Sequence, residues 1–150
     1  MKKYNPIFPE SANNEYNGYN VAKYVFLVII VVTVFRSCIH IFAPDGGGTI
    51  IAGLDTSGPQ GQNLISLFAQ WGLMQLIVAF FFILVYFRYK NLISFCYIML
   101  IIEYTGRTLV GIAKPLVVTQ IPPGASMILL IPISIVMLYF SLKIPKNKRE

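Results

Sequence analysis

Charge is scarce in this chain. Only 12% of its 150 residues are charged, six acidic against twelve Lys and Arg. An ordinary soluble domain carries about 25% charged residues, so a water-exposed globule is excluded. The 56% hydrophobic content excludes intrinsic disorder by the same reasoning. Two cysteines, Cys38 and Cys96, are too few for a disulfide scaffold. Placed on opposite ends of different helices, they differ in depth by roughly 18 Å, too far to bond, and are read as packing residues. A single histidine and no CxxC leave no classical zinc site, so no metal is expected. The glycines at 46–48 are not followed by a GxxxxGK[ST] phosphate-loop pattern.

What the chain does have is long apolar runs. A bilayer core of about 30 Å needs about 20 mostly apolar residues in a helix, and unpaired backbone is too costly in lipid for other structures. Four segments meet this, at about 21–42, 63–87, 91–110 and 125–142. Together they use over half the chain, so residues 1–150 read as a single transmembrane domain. The expected fold is all-α, an integral membrane four-helix bundle, with the fourth helix bent at Pro132. The Pro122-Pro123-Gly124 turn sets the start of that helix. Residues 1–20 are polar, and no small-residue cleavage site follows the first run, which predicts an uncleaved first helix.

Nine of the twelve basic residues fall on one side: Lys2, Lys3, Lys23, Arg88, Lys90, Lys143, Lys146, Lys148 and Arg149. Arg36, Arg107 and Lys114 fall on the other. The positive-inside rule then places both termini in the cytoplasm. The net charge of +6 is explained by headgroup contact at those helix ends, and no nucleic-acid partner is expected. No retrieval or organelle signal is present, which fits a bacterial inner membrane. Tyr16, Tyr19 and Tyr24, with Tyr86, Phe87 and Tyr89, read as interfacial anchors.

Ionisable side chains inside a membrane helix are costly and point to a site. Arg36 and His40 are four apart near the outer end of helix one, and Glu103 and Arg107 are four apart in the outer half of helix three, so each pair shares a face. Helix two carries Gln70, Trp71 and Gln75. The inner half is almost uniformly apolar. One reading is an outward-opening polar pocket formed by Arg36, His40, Gln70, Trp71, Gln75, Glu103 and Arg107. The other is a structural network in which Glu103 and Arg107 neutralise each other while Arg36 and His40 snorkel to the interface. His40 beside Glu103 across the bundle would permit acid/base chemistry. The outer loop, 43–62, is long for a structureless connection and is expected to be a lid, to hold a short helix, or to lie as an amphipathic segment on the membrane. Gly106 and Gly111 are expected to let helices approach closely.

The segment Glu103-Tyr104-Thr105-Gly106-Arg107, closing the third of four helices, with Gly72 and Arg36 as looser matches, resembles the DoxX-like group of small four-helix membrane proteins. That resemblance implies the bundle layout. For some members of the group it also implies quinone-linked redox or a place in a larger membrane complex. The long Gly-rich loop and the bent last helix are not matched.

The function expected is the binding of a lipid, quinone or other small amphipathic molecule in the outer-half pocket, as an accessory subunit or alone. The alternatives are a structural or assembly subunit, a small transporter, and an intramembrane isomerase or oxidoreductase, for which no nucleophile motif or cofactor fingerprint is present. The partners expected are the bilayer, a small amphipathic ligand, and either a membrane protein or a second copy of the chain.

Overall fold

The computed structural model describes residues 7–118 and 123–145. Lys2, Lys3, Pro122, Lys146, Lys148 and Arg149 lie outside the described residues. Helix α1 spans Asn20–Phe42, α2 Gly48–Ala52 and α3 Gly58–Arg88. A single 3-10 turn, Lys90–Leu92, leads into α4, Ile93–Ala113, and a 3-10 stretch, Pro123–Leu129, leads into α5, Leu130–Leu142. There is no strand among the described residues. α1, α3 and the Lys90–Ala113 segment are long and apolar enough to cross a membrane, which makes the chain an integral membrane protein; Ser126–Leu142 forms a shorter apolar helix.

Two boundaries differ from the sequence reading for local reasons. α3 starts at Gly58 instead of 63, with Pro59 in the first turn, where a missing N–H costs nothing; the Ser57 hydroxyl at the N-cap position donates to Asp55 Oδ1 and does not cap the helix. The loop between α1 and α3 is therefore shorter, and it holds α2. α-Helical winding in the last helix begins only at Leu130, so Pro132 lies in the first turn of α5 and not at an internal kink. Pro132 cannot donate to the carbonyl one turn back, and the residues ahead of it wind as 3-10 helix. The expected bend takes the form of a change of winding.

α1 packs along α3, and α5 packs along α4 and α1; α3 and α4 touch little beyond their connecting turn. The tightest packing lies at the end of the bundle where α3 turns into α4. Phe26, Phe82, Ile93, Cys96, Tyr97 and Leu100 are buried there, with the Phe26 ring 5.3 Å from Phe82 and 5.7 Å from Tyr97. The Tyr97 hydroxyl donates to the Ala22 carbonyl at 2.6 Å, so a phenol enters the core without an unpaired donor. Cys96 is buried in this core and Cys38 is half-buried, both as free thiols. The buried polar residues on the helices are small or amide-bearing: Ser37, Gln75, Ser94, Ser134 and Ser141. Small residues of this kind let membrane helices approach closely.

The polar N-terminal segment docks on the α3–α4 turn. Asn13 N–H donates to Asn91 Oδ1 at 3.0 Å, Asn91 Nδ2 to the Ser11 carbonyl at 2.8 Å, and Lys90 Nζ to Asn14 Oδ1 at 2.9 Å. Phe8 packs on Phe95 with ring centroids 5.7 Å apart. The composition of these residues gave no signal of this, because the pairing partners are about 80 positions away.

The glycine expectation is corrected. A Cβ on Gly106 or Gly111 would meet nothing within 4 Å, so neither mediates a helix contact among the described residues. Gly72 does: a Cβ there would lie 2.7 Å from His40 Cβ and 3.0 Å from the Ser37 carbonyl oxygen. Gly72→Ala is expected to lower stability by about 1–3 kcal/mol through overpacking. Gly106→Ala, on an open helical face, is expected to be neutral or stabilising by up to about 1 kcal/mol. Thermal unfolding of the two variants in the same detergent checks this, and equal midpoints would refute the close approach of α1 to α3.

Candidate functional site

A cavity of about 220 Å³ lies among α1, α3, α4 and the Met127–Leu130 stretch. It far exceeds the roughly 15 Å³ that admits a single water. Its walls are three helical stripes. α1 contributes Val28, Ile29, Val32, Thr33 and Arg36; α3 contributes Trp71, Met74, Gln75, Val78 and Phe82; α4 contributes Leu100, Glu103, Tyr104 and Arg107. Each set recurs at three- and four-residue steps, which is one face of an α-helix. Met127 and Leu130 close the remaining side. The walls are largely aliphatic and aromatic, and the polar groups cluster at one end.

Within that cluster, Arg107 Nε donates to Glu103 Oε1 at 2.9 Å, and Nη2 bonds to the same oxygen. Gln75, buried and oriented with its amide oxygen toward Arg107, accepts from Nη2 at 2.8 Å and from Nη1 at 3.3 Å. Both guanidiniums lie over the Trp71 ring, with Cζ 4.9 Å from its centroid for Arg36 and 4.7 Å for Arg107. This is cation–π geometry, strengthened where water is excluded. Arg36 Nε donates to His40 Nε2 at 3.3 Å, and Nη1 donates to Met127 Sδ.

Arginine only donates, so His40 Nε2 must accept and Nδ1 must carry the proton. That proton points at the Gly46 carbonyl, 2.8 Å away. His40 therefore stands behind the cavity wall instead of lining it. Its ring is 5.0 Å from Trp71 and 5.4 Å from Phe68, and it links the loop after α1 to the Arg36 guanidinium. Of the seven residues expected to line a pocket, Arg36, Trp71, Gln75, Glu103 and Arg107 do so. His40 adjoins them, and Gln70 does not. Gln70 is exposed, because it lies one residue back from Trp71, roughly 100° round the helix, on the face shared with Leu73 and Ile77. Arg36 does not snorkel outward but faces the cavity that Glu103 lines.

Sequence reasoning missed Thr33, Tyr104 and Met127. Extending the 103–107 pair to positions 100 and 104 would have found Tyr104. The Thr33 hydroxyl is satisfied by the Ile29 carbonyl at 2.8 Å. Met127 arrives through the 3-10 stretch, for which the sequence carried no period. The described residues include no group of three or more His, Cys, Asp or Glu that could hold a metal ion.

The loop between α1 and α3 is a folded unit. Asp45 accepts from the amides of Gly47, Thr49 and Ile50 at 2.9, 3.0 and 2.9 Å, and Gly46 and Gly47 adopt φ of +60° and +75°, which glycine alone adopts freely. Thr49 and Thr56 hydroxyls bond at 2.5 Å, and Leu54 is buried beneath. This arrangement holds the Gly46 carbonyl where His40 meets it.

The chain matches no protein-family model, no curated protein and no solved structure. The chemistry of the site is therefore read from its own residues.

The amide of Ile50, followed by those of Gly47 and Thr49, holds the Asp45 carboxyl below the usual value of 3.8. Because the folded-state value is depressed, the capping contribution is complete above the ordinary value of 3.8 and is lost as the pH falls from there through the folded-state value. Amide-exchange protection at Gly47, Thr49 and Ile50 is expected to persist at neutral pH, to fall under strongly acid conditions, and to be reduced at all pH in Asp45→Asn. Unchanged protection in Asp45→Asn would show that the carboxylate does not hold the turn.

Proposed function

We propose that this chain is a small four-span membrane protein, with both termini in the cytoplasm, that holds a lipid, quinone or other small amphipathic molecule in the cavity described above. The observation that carries this reading is the division of the cavity into a polar end, at Arg36, Gln75, Glu103 and Arg107, and an aliphatic remainder. Such a division suits a ligand with a polar head and an apolar body. α5 with its 3-10 lead-in is taken as the fourth span. The described basic residues Lys23, Arg88, Lys90 and Lys143 cluster at the α3–α4 turn end, which supports the cytoplasmic assignment. Both ring nitrogens of His40 are engaged, which favours binding over proton-transfer chemistry. The apolar core at the other end of the bundle favours binding over conduction. The DoxX-like resemblance is retained as a proposal about bundle layout.

A second reading, a subunit of a larger membrane assembly, is favoured by α4. Residues 109–113 at its end are all exposed, and a Cβ on Gly106 or Gly111 would meet no described residue within 4 Å, a surface on which another helix would fit.

Native mass spectrometry of the protein released from nanodiscs separates the two. A stoichiometric small molecule is expected on wild type and absent from the cavity-filling Val78→Phe and from Glu103→Gln/Arg107→Ala. A clean apo mass with a fixed protein partner would replace the first reading with the second. Orientation is tested separately in a Cys38→Ser/Cys96→Ser background. An impermeant maleimide added from outside is expected to label Thr56→Cys and not Ser11→Cys, and the reverse pattern would invert the topology.

A further inference from the structure

The charges of the cavity narrow its ligand. We infer that the head received there is a monoanion, a carboxylate or a phosphodiester, on an apolar chain, and that Arg36 is its principal partner; this rests on the binding role proposed above. Three charged groups line the cavity: Arg36, Arg107 and Glu103. Glu103 is committed to Arg107, whose donors are further engaged by Gln75. Arg36 has no carboxylate partner among the described residues. Its contacts are a neutral imidazole, a thioether and an indole face. A thioether is a weak acceptor, so much of the five-donor fork remains available.

An unpaired charge at this depth is costly. The cost is raised by Arg107, which stacks on the same indole ring, since like charges in a low-dielectric site repel strongly. With one carboxylate for two guanidiniums the site carries one net positive charge. A neutral quinone leaves that charge in place, and a dianion reverses its sign. A monoanion cancels it, and the planar fork of arginine matches carboxylate and phosphate oxygens two at a time. Behind the charged end, Val78, Phe82 and Leu100 form an apolar wall, and the lining residues Val28, Val32, Met74 and Val78 are also exposed on the helix surface, so that an apolar chain can extend from the cavity toward the bilayer. The same chemistry is offered by the headgroup of an anionic phospholipid and by a free fatty acid.

Trp71 is the chain's single tryptophan and lies beneath both guanidiniums, so it reports occupancy directly. The full chain is placed in phosphatidylcholine nanodiscs, and brominated stearate, phosphatidylglycerol, phosphatidylcholine or stearyl alcohol is added at increasing mole fraction. The anionic probes are expected to quench Trp71 at mole fractions about tenfold lower than the neutral ones, the scale of one charged hydrogen-bonded contact. Arg36→Gln is expected to abolish that preference and Arg36→Lys to keep part of it. Preference for phosphatidylglycerol alone assigns the head to a membrane lipid, preference for stearate alone assigns it to a free carboxylate, and both outcomes support the inference. Equal quenching by neutral and anionic probes in wild type overturns it without needing any variant to fold, while a small molecule retained in the native spectra would leave the binding role standing. Random quenching by every probe, with native spectra free of small molecules, removes both. A protein partner in those spectra whose removal exposes the anion preference assigns the missing charge to that partner and overturns the lipid inference.

Discussion

Two guanidiniums and one carboxylate must coexist at the edge of an apolar bundle, and the arrangement of the loop end follows from that requirement. Water is not at hand to solvate charge inside a membrane, so each charged atom needs a protein group within reach. Glu103 serves Arg107 from one helical turn away on the same helix. Gln75 reaches it from α3, and Trp71 offers a π-face to both cations. These contacts join α1, α3 and α4 at a level where α3 and α4 otherwise scarcely meet. The polar groups thus close the bundle at one end, as the aromatic cluster of Phe26, Phe82 and Tyr97 closes it at the other. The cavity lies between these two closures.

The approach of α1 to α3 is what brings Arg36 over Trp71. Gly72 follows Trp71 directly, and its missing side chain leaves room for the backbone at Ser37 and the Cβ of His40. With α1 at that distance, Arg36, one turn before His40, falls over the indole. A bulkier residue at position 72 would push α1 away and lengthen the cation–π contacts, which weaken beyond about 6 Å. Packing and electrostatics here share one residue.

Much of this arrangement was legible in the sequence, though unevenly. The first three spans were read from hydropathy alone, because about 20 apolar residues in a row have few other uses. The pairing of Glu103 with Arg107 and of Arg36 with His40 followed from four-residue spacing, a local rule. Their convergence on Trp71 depends on how helices cross, which spacing within one helix does not encode. Gly106 and Gly111 misled for that reason: a glycine in a membrane helix signals a close approach, but the sequence does not say to what. Gln70 misled differently, since polarity placed it in the site while its helical phase turned it away. The start of α5 was misread because apolarity is the same in a 3-10 and an α-helix, and only Pro132 marked the place where the winding changes.

The loop between α1 and α3 gains its importance through a chain of hydrogen bonds with fixed direction. Asp45 gathers three amides and sets the turn, the turn presents the Gly46 carbonyl, and that carbonyl takes the Nδ1 proton of His40. With the tautomer so fixed, Nε2 has a lone pair to offer Arg36. Reversing any link breaks the next one, because a guanidinium cannot accept and a carbonyl cannot donate. A protonated His40 would have no lone pair for Arg36 and would add a third cation beside the two already stacked on Trp71. The loop therefore acts on the cavity without covering it: by holding His40 neutral and in register, it leaves the guanidinium of Arg36 aimed at the cavity with its charge unspent.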